Sequence, residues 1–206
     1  EFNNGYISPY MVTNAERMEA EFKDTPILLV DKKISTVKEI LPILEKLAET
    51  GKKDLVIIAE DVDGEALATF VLNKIRGAFN ILAIKAPGFG NAKTEILEDI
   101  AVMVGAKVVT EKTGMKLEKI ELNVLGSANQ VLSTKGNAII VGGKGKKSEI
   151  ENRILSLKGQ LKTNNSKFDK EKIQERIAKL SGGIAVIKVG ASTETEMKYL
   201  KLKIED

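Results

Sequence analysis

The sequence contains no cysteine, no histidine and no tryptophan. Without these residues the chain cannot form a disulfide, a thiolate nucleophile or a Ser-His-Asp triad, and nearly every zinc site is excluded. This composition is compatible with a reducing compartment. Aromatic residues make up only 4% of the chain, so aliphatic side chains must supply the packing. With 206 residues, the chain is long enough for one full hydrophobic core and part of a second.

Long apolar runs and a dominant charge are also missing. No apolar stretch approaches the roughly 18 residues that a membrane span needs, so we expect no membrane partner. The 32 Lys and Arg residues nearly balance the 29 Asp and Glu residues. The basic cluster Lys144, Lys146 and Lys147 has no aromatic neighbour for base stacking, and the other cations are scattered. We therefore expect no nucleic-acid partner either.

Short apolar runs alternate with helical patterns along the chain, which predicts an α/β fold with some antiparallel β-structure. The chain has neither an initiator Met nor a leader-like segment, so we expect a fragment of a longer protein. The paired glycines Gly182 and Gly183 are the strongest candidate for a domain boundary. Strands are predicted at Ile27–Val30, Leu55–Ala59, Ile81–Lys85, Ala106–Thr110 and Ile184–Val189, short β runs within Leu122–Val141, and helices at Leu97–Val104, Ser148–Lys162, Phe168–Ser181 and Glu194–Asp206.

Two further helices, at Val37–Ala48 and Glu65–Ile75, carry more apolar surface than an ordinary amphipathic helix needs. The apolar arc of the first spans roughly 160°, whereas a helix docked on a core usually shows a stripe nearer 100°. Both helices could be buried between two layers, which is the common arrangement. Alternatively, each helix covers its own domain with one side and the spare Leu and Val residues line a groove for an apolar partner.

The start of the first helix has two signals. Thr36 and Glu39 have the spacing of a capping box, whereas Pro42 favours a regular helix that begins only about Ile40. We expect Pro42 in the first turn, where its missing donor costs little.

No motif indicates catalysis. Gly88-Phe89-Gly90 lacks both the P-loop pattern and the dinucleotide-binding spacing, so it is interpreted as a structural turn. The acidic residues Glu60, Asp61, Asp63 and Glu65 do not have calcium-loop spacing, so helix capping and ion pairs explain them. We expect no metal site, and the residues favour binding over chemistry.

Four segments resemble the group I chaperonins, the GroEL type. They occur in the family's order and extend along essentially the whole chain. The segments are Gly5–Tyr10, Ile57–Thr69, Ile84–Gly90 and Gly182–Gly190.

The resemblance implies a layered β/β/α domain, like the GroEL apical domain, with two exposed amphipathic helices. Residues 1–183 would be the apical domain, which binds substrate and co-chaperonin. Residues 184–206 would be the ascending part of the intermediate domain, hinged at Gly182 and Gly183, and the equatorial ATPase domain would be absent. By the same resemblance, the residues that contact unfolded polypeptide and the mobile loop of a GroES-type co-chaperonin are Tyr6, Ser8, Tyr10, Met11, Leu41, Leu44, Leu67, Val71 and Leu72, with Asn73 as a polar contact. We expect the helical members Leu41, Leu44, Leu67, Val71 and Leu72 to lie on the sides of their helices that do not face the core.

The resemblance also implies a parent protein that is an ATP-hydrolysing folding machine, assembled as a homo- or hetero-oligomeric ring. Asp206 matches the family's Asp that supports ATP hydrolysis, so ATP and Mg²⁺ belong to the full-length protein and this chain should bind no cofactor. Asn4 replaces an Arg that commonly pairs with a Glu of the neighbouring subunit, which leaves its expected partner Glu194 without that ion pair. Met11 stands where Phe is common, and Met keeps an apolar contact with more pliability.

Residue usage favours an organelle matrix, with a plastid ahead of a mitochondrion, and the bacterial cytoplasm is the alternative. The alternative function is a small α/β enzyme that acts on a phosphorylated or carboxylated metabolite. The enzyme predicts a concave pocket with convergent polar groups, whereas the binding module predicts an exposed apolar groove.

Overall fold

A single six-stranded mixed sheet organises the protein, with the strand order β3-β2-β1-β4-β5-β6. The computed structural model describes residues 5–182 and the backbone of residues 184–188. The α/β class predicted from the sequence is confirmed. The elements are β1 Ala20–Ile34, α1 Val37–Glu49, β2 Asp54–Val62, α2 Gly64–Ile75, β3 Asn80–Lys85, α3 Gly90–Val104, β4 Gly126–Ser133, β5 Asn137–Gly143, α4 Lys147–Thr163, α5 Lys167–Gly182 and β6 Ile184–Lys188, with short 3₁₀ turns at Pro9–Met11, Glu111–Thr113, Leu117–Lys119 and Leu122–Val124.

The first half of the fold is a parallel β1-α1-β2-α2-β3 unit. Ile27 pairs with Val56 and Leu55 with Ile81, both in parallel register. Crossovers between neighbouring parallel strands are right-handed, and both crossovers step the same way across the sheet. Helices α1 and α2 therefore lie on the same face, where they contact each other. The strands are apolar on both sides because both faces of this half are covered.

The second half of the sheet is antiparallel and carries the other helices. Strand β4 pairs with β1, β5 with β4 and β6 with β5, all antiparallel. Helix α3 packs on β1, β4 and β5, and α4 and α5 pack on α3. Two glycines bring the C-terminal turn of α3 close to the β5–α4 connection. A Cβ at Gly143 would lie 2.2 Å from the Met103 carbonyl oxygen, and one at Gly145 would lie 1.9 Å from that of Val102.

The start of α1 corrects one prediction. The capping box is confirmed, with the backbone N–H of Thr36 donating to Glu39, and the helix begins at Val37 instead of Ile40. Pro42 lies inside the helix, where it removes one backbone donor and is tolerated. The capping box determines the start because it satisfies donors of the first turn, which Pro42 does not affect.

Several other boundaries also differ. The predicted strand Ile27–Val30 is the middle of the long β1, and α3 begins seven positions before the predicted Leu97. The predicted strand Ala106–Thr110 is wrong, because only an isolated bridge between Val109 and Val30 forms there. The β runs predicted within Leu122–Val141 form β4 and β5, after a 3₁₀ turn at Leu122–Val124.

Helices α4 and α5 agree with the predicted helices to within one residue at each end. Gly182 is the last residue of α5, and β6 then continues the same sheet beside β5. The described part of the segment 184–206 is thus a strand of the main sheet. The boundary after residue 183 stays a prediction, and Gly183 and the predicted helix Glu194–Asp206 lie outside the described residues.

Candidate functional site

Helix α1 exposes one large apolar side chain on the surface that it shares with α2. Ile40, Ile43 and Leu47 are buried against the sheet, and Leu41 is 43% exposed. Leu44 is only 7% exposed, so the prediction that it points away from the core is wrong. At about 100° per residue, Leu44 lies on the flank of α1 and Leu41 lies nearer its outer side.

Helix α2 is more open than α1. Its buried residues are Ala66 and Phe70, which face the sheet. Leu72 and Ile75 are 44% and 69% exposed. Leu67 is partly buried and packs against the main core, so the expectation that it does not face the core is also wrong. Val71 is partly buried as well.

The two flanks of α2 face different neighbours. The Lys46 ammonium of α1 donates to the carbonyl of Ile120 at 3.1 Å, which turns that flank of α1 toward the 3₁₀ turns and the Leu44 flank toward α2. Because α1 and α2 are parallel, the flank of α2 that carries Thr69 and Asn73 faces α1. The opposite flank, with Leu67 and Val71, faces the turn Pro9–Met11, which contacts α2.

The predicted contact residues therefore form two surfaces. We call the first the α1–α2 groove; its predicted members are Leu41, Leu44, Leu72 and Asn73. The second, the α2 strip, contains Leu67 and Val71 and adjoins Tyr10 in the turn Pro9–Met11. The sequence resemblance assigns all these residues to one contact surface. In the structure they lie on opposite flanks of α2.

Most of the predicted contacts before β1 are structural in this fold. Tyr6 and Met11 are 5% and 1% exposed, and Tyr6 forms a bridge with Ile84 along the free edge of β3. The Met11 sulfur accepts a hydrogen bond from the backbone N–H of Ala83 at 3.3 Å. Ser8 is buried and its hydroxyl accepts from the N–H of Tyr10, which caps the 3₁₀ turn.

Tyr10 is the exposed residue among these predicted contacts, at 66%. Tyr6, Ser8 and Met11 are buried because they cover the edge of β3, and their contact with polypeptide stays a prediction. Burial also raises the pKa of the Tyr6 hydroxyl. On α2, the Asn73 side-chain amide donates to the Thr69 carbonyl at 2.9 Å, so part of its hydrogen-bonding capacity is used within the helix.

Acidic residues at the carboxyl ends of the parallel strands form ion pairs. Lys93 lies 3.0 Å from Asp31 and 3.2 Å from Glu60. Asp63, just before α2, accepts from the Ser35 hydroxyl at 2.7 Å and pairs with Lys33 at 2.6 Å. These hydrogen bonds lower the pKa of the Asp63 carboxyl. Ion pairs are therefore confirmed for Glu60 and Asp63, whereas the Asp63 side chain makes no capping hydrogen bond although it is the N-cap residue of α2. No group of three potential metal ligands occurs among residues 5–182.

An open polar cavity of about 360 Å³ lies at the opposite end of the sheet, where β1 runs past the start of β2. Its two carboxylates already accept hydrogen bonds from neighbouring amides. Asp54 accepts from the Asn80 amide at 2.9 Å, and Glu21 accepts from the Gln130 amide at 2.9 Å. The lining residues are Thr13, Glu21, Phe22, Lys23, Asp54, Lys74 and Asn80.

Four residues named by the sequence interpretation lie outside the described residues, namely Asn4, Gly183, Glu194 and Asp206. Gly182 is exposed at the end of α5, and its hinge role stays a prediction. A search against protein-family models found no match for the chain. Within the part of the chain that the structure describes, no helix has the length and apolarity to span a bilayer.

Proposed function

We propose that the chain is a polypeptide-binding module of the group I chaperonin type, equivalent to the GroEL apical domain. The observation that carries this proposal is the pair of outward-facing leucines, Leu41 and Leu72, on two neighbouring parallel helices. A soluble domain gains nothing by leaving such residues in water on adjoining elements, whereas a binding surface requires it.

The physics of an apolar groove suits clients that share no sequence. Apolar burial is non-directional, so any unfolded segment with a few apolar side chains can occupy it. At about 25 cal/mol per Å², burial of a few hundred Å² would supply several kcal/mol before ordering costs are subtracted. Binding of this kind is weak for one segment and becomes firm when several modules hold one client.

The remaining parts of the proposal come from the sequence resemblance. The parent protein would be an ATP-driven ring that uses Mg²⁺, and a GroES-type co-chaperonin would compete with clients for the same surface. We propose an organelle matrix as its compartment, with a plastid ahead of a mitochondrion. This chain alone should give no saturable heat with Mg-ATP in calorimetry, and a micromolar site would contradict the assignment.

The alternative, a small α/β enzyme, has less support. Enzymes with such sheets bind ligands at the carboxyl ends of the strands. There Lys93 is held by two carboxylates and is not available to a phosphate or carboxylate. The polar cavity lies at the other end, and its carboxylates bond to Asn80 and Gln130.

The test uses glutamate substitutions at three exposed leucines and at one buried leucine. Leu41→Glu and Leu72→Glu remove the two exposed leucines of the α1–α2 groove, and Leu155→Glu on α4 is the control because Leu155 is 65% exposed elsewhere. All three should fold, since surface changes usually stay within about 0.5 kcal/mol. Leu55→Glu, at a position with 0% exposure, should unfold the protein.

Binding of a fluorescein-labelled apolar peptide is then measured by anisotropy. The two groove variants should lose at least about tenfold in affinity, because the new charge would be desolvated against the peptide. The Leu155→Glu variant should bind like the parent chain. Unchanged affinity in both groove variants, or an equal loss in the Leu155→Glu variant, would overturn the proposal.

A further inference from the structure

Ile75 is the most exposed of the large apolar residues in the described chain, at 69%, and the sequence resemblance gives it no role. It follows Leu67 and Val71 at intervals of four residues, so the α2 strip continues to the C-terminal end of the helix. The strip thus passes from the core at Leu67, through the partly buried Val71, to Ile75 in solvent.

Tyr10 extends this surface from a second element. Residues 7–13 run along β3 toward the end of α2. The N–H of Ile7 donates to the Ala83 carbonyl at 2.8 Å, and Thr13 lines the same cavity as Lys74. The exposed Tyr10 lies on the turn between those two points, and this turn contacts α2. An aromatic and an aliphatic side chain, both about two-thirds exposed, are therefore available at one end of α2.

Two cations border Ile75 in the sequence. Lys74 is its predecessor and Arg76 is the C-cap of the helix. Neither forms an ion pair within the described residues, in contrast to Lys33, Lys93 and Arg153, which are all paired. The nearest carboxylates of the adjoining cavity, Asp54 and Glu21, bond to the amides of Asn80 and Gln130. An apolar surface with two available cations is complementary to an apolar ligand that carries negative charge.

We propose that Ile75 and Tyr10, with Lys74 and Arg76 beside them, form an end subsite that selects polypeptide segments in which apolar residues adjoin Asp or Glu. This inference rests on the proposed polypeptide-binding function and specifies its preferred client. The apolar pair supplies contact area, and the cations discriminate between acidic and basic flanks.

Three fluorescein-labelled peptides test this preference. Each has the apolar core Leu-Ala-Phe-Leu, flanked on both sides by Glu, by Gln or by Lys. The parent chain should bind the Glu peptide about three- to tenfold more tightly than the Lys peptide, since each exposed charge pair contributes modestly. High salt should remove the difference, because exposed charges are screened.

The variants assign the preference to residues. The double change Lys74→Gln and Arg76→Gln should abolish the Glu-over-Lys preference, with little effect on the Gln peptide. Ile75→Ser should weaken all three peptides about fivefold, because it removes apolar contact area and leaves the charges. The matched controls on α4 are Leu155→Ser and the pair Lys158→Gln and Lys162→Gln, which should change nothing.

The possible contrary results distinguish failure of the subsite from failure of the proposed function. No preference in the parent chain, or a preference that survives in the cation variant, would overturn the subsite. Equal weakening by Ile75→Ser and Leu155→Ser would also overturn it. If the peptides depend on Leu41 and Leu72 but not on Ile75, the subsite fails and the proposed function stands. If neither set of variants affects binding, both fail.

Discussion

The two faces of the sheet are covered by helices of different character. On one face, α1 and α2 pack on the sheet through apolar residues, and Leu41, Leu72 and Ile75 remain exposed to solvent. On the other face, the hairpin α4–α5 is polar and is tied to α3 by charges. There Asp99 accepts from Arg153 at 2.9 Å and from Arg176 at 2.6 Å, and Glu95 accepts from both arginines at 3.0 Å.

The helices on the two faces are therefore held in place by different interactions, apolar packing on one face and charged hydrogen bonds on the other. Apolar contact is non-directional, so α1 and α2 can keep a surplus that serves a partner. Charged hydrogen bonds are directional and fix one arrangement, which suits a hairpin that buries only a few apolar residues. Burial alone would lower the pKa of the Arg176 guanidinium, but its hydrogen bonds to Asp99 and Glu95 raise it. The guanidinium in this ion-pair cluster therefore stays charged.

The largest effect should come from Asp99→Asn, which leaves both arginines short of their main acceptor. We expect a loss of about 3 kcal/mol in the free energy of unfolding, because breaking a largely buried ion pair strands its partners. Hydrogen exchange should increase across α4 and α5 and stay unchanged in α1 and α2. Lys172→Gln, in an exposed pair 3.7 Å from Glu175, is the control and should cost at most about 0.5 kcal/mol. Uniform destabilisation of both faces would break the comparison.

The next effect separates two leucines three positions apart on α1. Leu44→Ala should cost about 2 kcal/mol, since it opens a cavity under the helix pair. Leu41→Ala should cost less than about 0.5 kcal/mol because Leu41 is already in contact with water. Chemical denaturation measures both. Equal costs would mean that Leu41 belongs to the core.

A smaller effect concerns the start of α1 and depends on pH. Burial alone would raise the pKa of the Glu39 carboxyl, but the hydrogen bonds from Lys32 at 2.5 Å and from the backbone of Thr36 and Ser35 lower it. The contribution of the Glu39 carboxylate to the free energy of unfolding is therefore fully present above its ordinary pKa of 4.5. This contribution is lost as the pH falls through the lower pKa of the folded state. Glu39→Gln should cost about 1 kcal/mol of unfolding free energy at pH 7, and the cost should shrink as the pH falls below 4.5. A cost independent of pH would contradict this.

The smallest effect is a gain in stability from a substitution in α3, on the face of the sheet opposite to α1 and α2. Burial raises the pKa of the Glu98 carboxyl, against the attraction of Arg153, and the nearby Glu95, Asp99 and Asp31 raise it further. A raised pKa means that ionisation costs stability in the folded state, and the cost grows as the pH rises through the folded-state value. Glu98→Gln should therefore stabilise the protein at pH 7 by a few tenths of a kcal/mol, and the gain should vanish below pH ~4. Destabilisation at pH 7 would show that the carboxylate has a structural partner.

Local patterns predicted the strands and helices well where the signal lies within one segment. The apolar runs of β2 and β3 and the two helices of the hairpin were located closely. The ion-pair cluster of Arg153, Arg176, Glu95 and Asp99 was missed. Each arginine lies 54 to 81 positions from the carboxylates that it bonds, and each residue by itself has the pattern of an ordinary surface charge. The strand at Ala106–Thr110 was overpredicted, since only Val109 pairs with β1, through backbone hydrogen bonds with Leu29 and Asp31.

The sequence by itself determined the α/β alternation, the capping box at Thr36 and the wide apolar arcs of α1 and α2. Those features depend on side chains a few positions apart, which local geometry brings together in any fold. Only the tertiary structure decided which part of each arc is covered. Leu44 is buried because α1 turns that flank toward α2, and Met11 and Tyr6 are buried because they cover the edge of β3. Ile75 stays in solvent because it lies beyond the flanks of α2 that α1 and the 3₁₀ turn cover.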